Sequence, residues 1–188
     1  MNHSLKRCWN TNEPLYIKYH DEEWAVPVHN DQKLFEFLIL DAFQAGLTWW
    51  LILQRREIFR AAFDGFNPVK IAKYTNKDNE RLLNTQGMIK NKAKIKAAIT
   101  NAQQFLAIQE EFGSFDKFIW EFVKGKTITN SFCSLSEVPS ESEESRAMSK
   151  AFKKRGFKFV GPTICYAFMQ AAGLVNDHLV HCFRYKQV

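Results

Sequence analysis

The chain has 188 residues, 46% of them hydrophobic and 14% aromatic, a composition that excludes a disordered protein and suffices for one buried core. Its formal net charge of +6 favours an acidic partner, most often nucleic acid, although a mildly basic enzyme without such a partner is the alternative. No stretch reaches the roughly 20 apolar residues of a membrane span, and no signal peptide is recognisable at the start. We expect one domain over residues 1–188, a cytoplasmic location without membrane contact, and four reduced cysteines.

The N-terminal segment Cys8–Pro27 combines polar residues with an unusual density of aromatic ones. It has no clear periodicity that would predict a helix or a strand. A terminal segment of this kind normally frays, so another part of the chain must hold it in place. Its aromatic side chains are Trp9, Tyr16, Tyr19 and Trp24.

The segment Asp31–Trp50 predicts a buried helix followed by the start of a second one. Asp31 is placed to cap free N–H groups, and the apolar residues after it leave no polar face before the turn at Gly46. Thr48 is placed to cap the next helix, which is predicted to run to about Phe63. The first of these helices is therefore expected to lie in the core.

Asp41 lies inside this apolar run, where a lone carboxylate is costly to desolvate unless a positive group pairs with it. Trp49 and Trp50 follow shortly after it in the chain. A buried acid beside two tryptophans suits a pocket for a flat, cationic ligand. The alternatives are that Asp41 is paired with an arginine or lysine and that the tryptophans belong to the core.

Capping residues and apolar spacing predict further helices along the rest of the chain. The Ser- and Thr-rich segment Lys126–Glu141 contains a proline and is expected to be a surface loop. No strand can be placed with any clarity, so the predicted fold class is all-α. The further helices begin at Asn67-Pro68, run from Thr75 to about Asn84 and from Asn91 to Phe112, follow Ser114, span Ser142–Gly156, and run from Thr163 to Ala172.

Two clusters of basic residues are candidates for contacts with phosphate groups. The first lies at the start of the helix after Asn91, where positive charge is mildly unfavourable, and a merely solvated face is the alternative. The second accompanies the turn GFKFVG, in which two glycines allow close approach and the next helix offers free N–H groups. A plain helical hairpin with a basic end is the alternative there. The clusters are Lys90, Lys92, Lys94 and Lys96, and Lys153, Lys154, Arg155 and Lys158.

A possible metal site combines the two ends of the chain. Cys8 and His20 lie near the N-terminus, and His178 and Cys182 are one helical turn apart near the C-terminus. Two thiolates and two imidazoles form a tetrahedral zinc set without an open position, so the role would be structural. Such a site would also anchor the aromatic N-terminal segment. The alternatives are ordinary buried cysteines and exposed histidines, or competing ligands among His3, His29 and His181.

These features together resemble the 3-methyladenine DNA glycosylase I family, which belongs to the helix-hairpin-helix glycosylases. The matching stretches span nearly the whole chain and agree with the family in their order. They are PLYIKYHDEEW (Pro14–Trp24), LFEFLILDAFQAGLTW (Leu34–Trp49), KKRGFKFVGPTICYAFMQAAGLVNDH (Lys153–His178) and Cys182.

The resemblance implies an all-α glycosylase domain in which one structural Zn²⁺ ion joins the two ends of the chain. Its zinc ligands fall on the cysteines and histidines named above: Cys8, His20, His178 and Cys182. Trp49 corresponds to the residue that stacks on the excised base, and the other aromatic pocket positions are Trp9, Tyr16 and Tyr19. Leu47 corresponds to the side chain that fills the gap left in the duplex. The implied DNA contacts are Gly46, Leu47, Lys154, Arg155, Gly156, Lys158, Gly161 and Thr163.

The implied activity is hydrolysis of the N-glycosidic bond of alkylated double-stranded DNA, with 3-methyladenine as the product. No lysine nucleophile is implied, so the enzyme would act without strand cleavage, and we expect a monomer. Asp41 corresponds to the catalytic pocket acid that faces the cationic base. Asp177, which precedes a predicted zinc ligand, is expected to support that ligand or to cap a helix.

Two departures from the family affect these expectations. Position 41 more often carries glutamate in the family, whereas Asp41 is shorter by one methylene. The segment around Trp9 is also one residue shorter than the family's form. The shorter acid motivates an alternative function, a zinc-stabilised protein that binds alkylated DNA without excising the base. A small-ligand protein whose positive charge is incidental is a third possibility.

Overall fold

The computed structural model describes residues 5–188, most of which are helical, as predicted. Among these residues, no helix combines the length and the hydrophobicity that crossing a membrane requires. The helices are α1 (Pro14–Glu22), α2 (Asp31–Gln44), α3 (Trp49–Ala62), α4 (Pro68–Ile71), α5 (Asn76–Asn84), α6 (Lys92–Phe112), α7 (Phe115–Trp120), α8 (Glu143–Lys154) and α9 (Pro162–Ala171). Short 3-10 turns cover Asp64–Phe66, Glu121–Val123 and Leu135–Glu137, and the strands are β1 (Ile128–Thr129) and β2 (Val175–Asn176).

The central helix is α2, which packs against α3, α6, α7 and α9. Every residue from Leu34 to Phe43 is buried, as the apolar run predicts. The predicted cap is wrong, because the side chain of Asn30 accepts the hydrogen bond from the N–H of Lys33 at 2.9 Å. The carboxylate of Asp31 instead accepts hydrogen bonds from the first N–H groups of α7. It therefore joins two helices and does not cap its own.

Most helix starts agree with the sequence predictions, because each has a local capping residue. The side chains of Thr48, Asn67, Asn91 and Ser114 each accept a hydrogen bond from the first turn of the helix that follows. Helix α1 was not predicted, because it buries mainly Tyr19 and His20 and has no apolar periodicity of its own. Tertiary contacts therefore determine this element.

The two strands were also absent from the prediction. β1 pairs in parallel with β2, with Ile128 opposite Val175. Two-residue strands carry no readable alternation, so the Lys126–Glu141 segment was expected to be a loop throughout. The pairing holds the chain immediately before Asp177 and His178 in a fixed position.

The segment after α1 is held against the end of α9. The N–H of Ala25 donates to the main-chain oxygen of Gln170 at 2.9 Å. At the end of α9, Gly173 has a φ of +75°, and a Cβ there would lie 2.4 Å from the main chain of Val26. A glycine is required at this position because no side chain would fit. The contact helps to hold the aromatic N-terminal segment in place.

Candidate active site and metal-binding group

A cavity of about 290 Å³ lies among α1, α2, α3 and α9. It includes the predicted pocket residues from the N-terminal segment, the acid of the central helix and the first tryptophan of α3. The segment after β1, which was expected to be only a surface loop, supplies two apolar side chains. The lining residues are Trp9, Tyr16, Tyr19, Trp24, Asp41, Gln44, Trp49, Leu135, Val138, Ala167 and Gln170.

The aromatic side chains form a continuous wall. The ring centroid of Trp9 lies 4.7 Å from that of Tyr16 and 4.8 Å from that of Trp24. The ring centroid of Tyr19 lies 5.2 Å from that of Trp49 across the cavity wall. Trp50 is absent from the lining and stacks behind Tyr16 at 5.4 Å. The two adjacent tryptophans therefore have different environments.

Asp41 is the unusual group in this cavity. Its side chain is buried, and its Oδ2 atom has no hydrogen-bond partner among the described residues. The other buried acid of α2, Glu36, accepts hydrogen bonds from Arg60 at 2.7 and 2.9 Å. The alternative of an arginine or lysine paired with Asp41 thus finds no support in residues 5–188. Burial raises the pKa of Asp41 well above its ordinary value, because desolvation penalises the charged carboxylate.

Two further polar atoms of the lining are buried without partners in the described part of the chain. They are Oε1 of Gln44, one helical turn after Asp41, and Nε1 of Trp49. Buried polar groups are normally hydrogen-bonded, and exceptions cluster where a ligand completes the site. The cavity thus offers two acceptors and one donor between aromatic faces. This arrangement suits a flat ligand with positive charge and hydrogen-bonding edges.

The N-terminal and C-terminal segments meet at a group of four residues whose ligand atoms all lie within 4.8 Å of one another. These residues are Cys8, His20, His178 and Cys182. Sγ of Cys8 lies 3.4 Å from Nδ1 of His178, and Sγ of Cys182 lies 3.6 Å from both histidines. All four are buried. The group could therefore hold a metal ion with four protein ligands.

The remaining polar atoms around this group are arranged as they are around metal ligands. Nδ1 of His20 lies 2.8 Å from the carboxylate of Asp21, which Arg7 binds through two nitrogens. The N–H of Leu179 donates to Sγ of Cys8 at 3.3 Å. Hydrogen bonds from Cys8 and the two histidines hold the pKa of Cys182 below its ordinary value, which favours a thiolate. The same hydrogen bond and burial raise the pKa of Cys8, so a metal ion bound by both thiolates would displace a proton from this pair.

The competing histidines lie apart from this group or outside the described residues. His29 stacks on Trp120 and lies 2.8 Å from the carboxylate of Asp116. His181 is exposed and does not belong to the cluster. His3 precedes the described residues. Asp177 accepts hydrogen bonds from Tyr166, Gln170 and Asn130, and this network fixes the chain next to His178.

The predicted DNA contacts fall on two turns. The first connects α2 to α3, where Gly46 has a φ of +75° and Leu47 is 37% exposed. The second connects α8 to α9, which pack against each other as a helical hairpin. Lys154, Lys158 and Thr163 are exposed there, and Gly156 and Gly161 bracket the turn. Arg155, also predicted to contact DNA, forms an ion pair with Glu111 at 2.6 Å.

Sequence reasoning missed several residues that shape these sites. Lys94 was assigned only to a basic cluster, yet it is buried and its ammonium group donates to the main-chain oxygens of Phe43 and Ala45. The signal for Gln44 was its spacing of three residues from Asp41 on one helix. No local signal marked the cavity residues from distant segments: Leu135, Val138, Ala167 and Gln170.

Comparison with known proteins agrees with this geometry. The methyladenine glycosylase family model matches residues 9–185. DNA-3-methyladenine glycosylase 1 of Escherichia coli strain K12 is 48% identical over 182 residues, which cover 96% of this chain and 97% of that protein. A crystal structure of 3-methyladenine DNA glycosylase I superimposes with a TM-score of 0.92 at 49% identity, covering 95% of this chain and 98% of that one.

A Staphylococcus aureus structure, described as the structural basis of 3-methyladenine recognition by 3-methyladenine DNA glycosylase I, superimposes with a TM-score of 0.91. It is 35% identical and covers 94% of each chain. The family match extends over the cavity, both exposed turns and three residues of the metal-binding group, His20, His178 and Cys182. The chain therefore belongs to the methyladenine glycosylase family.

Proposed function

We propose that this protein is a DNA-3-methyladenine glycosylase, which hydrolyses the N-glycosidic bond of alkylated DNA and releases 3-methyladenine in base-excision repair. The names of its relatives and its family membership support this function. The single observation that carries it is the unpaired carboxylate of Asp41 in an aromatic cavity. A buried acid without a partner is retained where a ligand supplies the opposite charge.

The chemistry of the substrate explains why such a cavity is sufficient. Methylation at N3 gives adenine in DNA a positive charge, which weakens the bond between the base and the sugar. The enzyme must expose this base, hold it and stabilise the separating groups. Rotating a nucleotide out of the duplex costs a few kcal/mol, and less for a damaged base. A strong general acid is not required, because the base leaves without a further proton.

The aromatic wall recovers part of the cost of exposing the base. Trp49 provides a stacking face, and Tyr16, Tyr19 and Trp9 surround the remaining volume. Cation–π attraction contributes roughly 0.5 to 2 kcal/mol for each well-placed ring. Neutral adenine would receive only the stacking part of this energy, so the wall already favours the methylated base.

Asp41 adds discrimination by charge. Two unit charges 4 Å apart attract by about 4 kcal/mol at an effective dielectric constant of about 20, which exceeds any one stacking contact. Burial raises the pKa of Asp41, because desolvation disfavours its charged form. A cationic base in the cavity stabilises the carboxylate form of Asp41, whereas neutral adenine does not. Within the described lining there is no lysine, which supports a monofunctional enzyme without strand cleavage.

The two exposed turns are proposed to bind double-stranded DNA. The first turn of α9, with Thr163 after Gly161, offers free main-chain N–H groups to a phosphate, and Lys154, Gly156 and Lys158 lie beside it. Leu47, after Gly46, would occupy the space that the flipped nucleotide leaves. Arg155 is proposed to stabilise the hairpin through Glu111, and it is not assigned a direct DNA contact.

We also propose that the metal-binding group holds one structural zinc ion. Tetrahedral zinc, with Zn–S near 2.3 Å and Zn–N near 2.0–2.1 Å, places its sulfur and nitrogen ligands roughly 3.6 Å apart. Three of the sulfur-to-nitrogen separations, 3.4 to 3.6 Å, agree with this value. Cys8, His20, His178 and Cys182 would supply all four ligands, so the ion would join the ends of one monomeric domain.

The test is incubation of zinc-loaded protein with methylated duplex DNA, followed by chromatography of the released bases. We expect 3-methyladenine well above the amount in a heat-only control, and intact strands before alkaline treatment. Damage-dependent DNA binding without base release would instead identify a non-excising binder, an alternative that the shorter acid at position 41 motivates. Absence of both base release and DNA binding would contradict the proposed function.

A further inference from the structure

The start of α6 lies between the two turns to which DNA contacts are assigned. Lys94 donates hydrogen bonds to the main-chain oxygens of Phe43 and Ala45, at 2.8 and 2.6 Å, and thereby contacts the turn that carries Leu47. The same ammonium group lies 5.9 Å from the ring of Phe159 at the tip of the hairpin. The first turns of α6 are therefore on the same side of the molecule as both elements.

A groove runs from the hairpin tip across this end of α6 to α5. It consists of two cavities of about 420 and 350 Å³, and Lys96 lines both of them. The first is lined by Ala93, Lys96, Ala97, Thr100, Lys158 and Phe159. The second is lined by Asn76, Asn79, Glu80, Leu83, Lys92 and Lys96. Lys92, Lys96 and Thr100 follow one face of the helix at four-residue intervals.

The charges of the groove fit an anionic chain. Lys92, Lys96 and Lys158 are exposed, and none forms an ion pair within residues 5–188. Glu80 is the one acid among the lining residues. The Oδ1 atom of Asn79, a residue only 8% exposed, has no hydrogen-bond partner in the described part of the chain. An amide oxygen only accepts hydrogen bonds, so the attraction for an anion comes from the lysines.

We propose that this groove binds the phosphodiester backbone of the duplex beyond the contacts of the hairpin and of Leu47. The proposal rests on the proposed function, because its ligand is the same DNA. Continuity with the hairpin through Lys158 and Phe159 and the excess of three lysines over one carboxylate select this ligand. The contacts are made to the backbone, so they increase affinity without reading the sequence.

The test measures equilibrium binding of an undamaged fluorescent duplex over a range of salt concentrations. Each phosphate that a lysine neutralises contributes about 0.9 to the slope of log K against log salt. The double variant Lys92→Gln, Lys96→Gln is therefore expected to reduce the slope by about 1.8 relative to the unmodified protein. Glu80→Gln has the opposite effect on charge, so it is expected to tighten binding at low salt.

The matched control is the double variant Lys117→Gln, Lys124→Gln, which removes the same charge at two exposed lysines that line neither cavity of the groove. Lys117 lies close to Gly113, the residue that follows the C-terminal end of α6. Gly113 is about 25 Å from Lys96 along that helix. A slope that falls equally in both double variants, or in neither, overturns the proposal. If the unmodified protein releases no 3-methyladenine while the slopes still differ as expected, the groove stands as a DNA surface and the glycosylase activity fails.

Discussion

The side-chain amide of Asn101 forms two hydrogen bonds with the main chain of Lys158. Its Oδ1 accepts from the N–H of Lys158 at 2.8 Å, and its Nδ2 donates to the main-chain oxygen of the same residue at 3.0 Å. Asn101 lies in α6 and is fully buried. The turn between α8 and α9 therefore takes its conformation in part from a helix 57 residues away in the chain.

We expect Asn101→Leu to loosen this turn. The variant removes two hydrogen bonds, and each polar group left without a partner costs about 1 to 3 kcal/mol, although solvent reaches Lys158 and will reduce the loss. Urea titration is expected to show a lower free energy of unfolding, and the affinity for duplex DNA is expected to fall. Asn84→Leu, at an exposed position of α5, is the control. Unchanged DNA affinity in a folded Asn101→Leu variant would contradict the role assigned to the amide.

The sequence predicts those features of the fold that local chemistry determines. Asn67 and Asn91 mark helix starts, because the short polar side chain of each accepts a hydrogen bond from a main-chain N–H group of the first helical turn. The burial of α2 follows from its apolar composition. Asn101 carried no signal, because an asparagine inside a helix has the same local pattern whether it faces solvent or another turn.

The candidate site also combines features that the sequence predicts with features that depend on the tertiary structure. The spacing of His178 and Cys182 and the position of Asp41 in an apolar run are visible in the chain, and the family resemblance joined them to distant residues. The absence of a partner for Asp41 in the described residues depends on the surrounding helices and could not be read from the sequence. The ion pairs of Arg155 and Arg56 could not be predicted from the sequence either, because the acids that they contact lie 44 and 33 residues away in the chain.

Asp41→Asn tests the charge of the pocket acid in two ways. Release of 3-methyladenine is expected to fall about 10- to 100-fold, which corresponds to the 1.5 to 3 kcal/mol of a hydrogen bond to a charged group. The folded state binds the proton of Asp41 more tightly than the unfolded state does, because burial raises its pKa. The contribution of Asp41 to the free energy of unfolding must then fall as the pH rises above 3.8, by about 1.4 kcal/mol per pH unit until the raised pKa is reached.

The asparagine variant lacks this titration, so its free energy of unfolding should exceed that of the unmodified protein increasingly as the pH rises. Urea titrations at several pH values measure the difference. Asp41→Glu is the companion variant, since it keeps the charge and restores the length that the family more often has. Equal rates of base release for the unmodified protein and the Asp41→Asn variant would exclude a role for the charge.

Removal of the metal is expected to destabilise the protein and to release its N-terminal segment. An ion that binds the folded state with free metal 100- to 1,000-fold above its dissociation constant contributes about 3 to 4 kcal/mol. Elemental analysis should find about one zinc per chain in the unmodified protein and none in the double variant Cys8→Ser, Cys182→Ser. Chelated protein should be cut faster by trypsin at Lys6 and Arg7, because these residues precede the ligand Cys8.

The control for the metal is Cys133→Ser, since Cys133 is exposed and lies outside the cluster. This variant should retain zinc and the resistance to trypsin. Because Trp9 follows the first ligand and lines the cavity, chelation should also reduce base release. Full stability and trypsin resistance after complete removal of zinc would show that the ends of the chain do not depend on the ion.

The ion pair between Glu23 and Arg56 is expected to attach α1, with its pocket tyrosines, to α3. Two nitrogens of Arg56 donate to the carboxylate at 2.6 and 2.8 Å, and Lys33 lies 3.5 Å from it. Burial alone would raise the pKa of Glu23, but the hydrogen bonds and charge of Arg56 outweigh it and hold the pKa below 4.5. The stabilisation is therefore present above pH 4.5 and is lost as the pH falls through the lowered pKa.

In Glu23→Gln the largely buried Arg56 loses its charged partner. We expect this loss to lower the free energy of unfolding by about 2 to 3 kcal/mol at neutral pH. The cost is less than for a fully buried pair, because Glu23 is partly exposed. The difference from the unmodified protein should shrink below pH 4.5, where the unmodified carboxylate also becomes neutral. Glu22→Gln breaks an exposed pair with Lys18 and should change stability by less than about 1 kcal/mol. If both variants lose the same small amount at every pH, the pair does not hold α1 against α3.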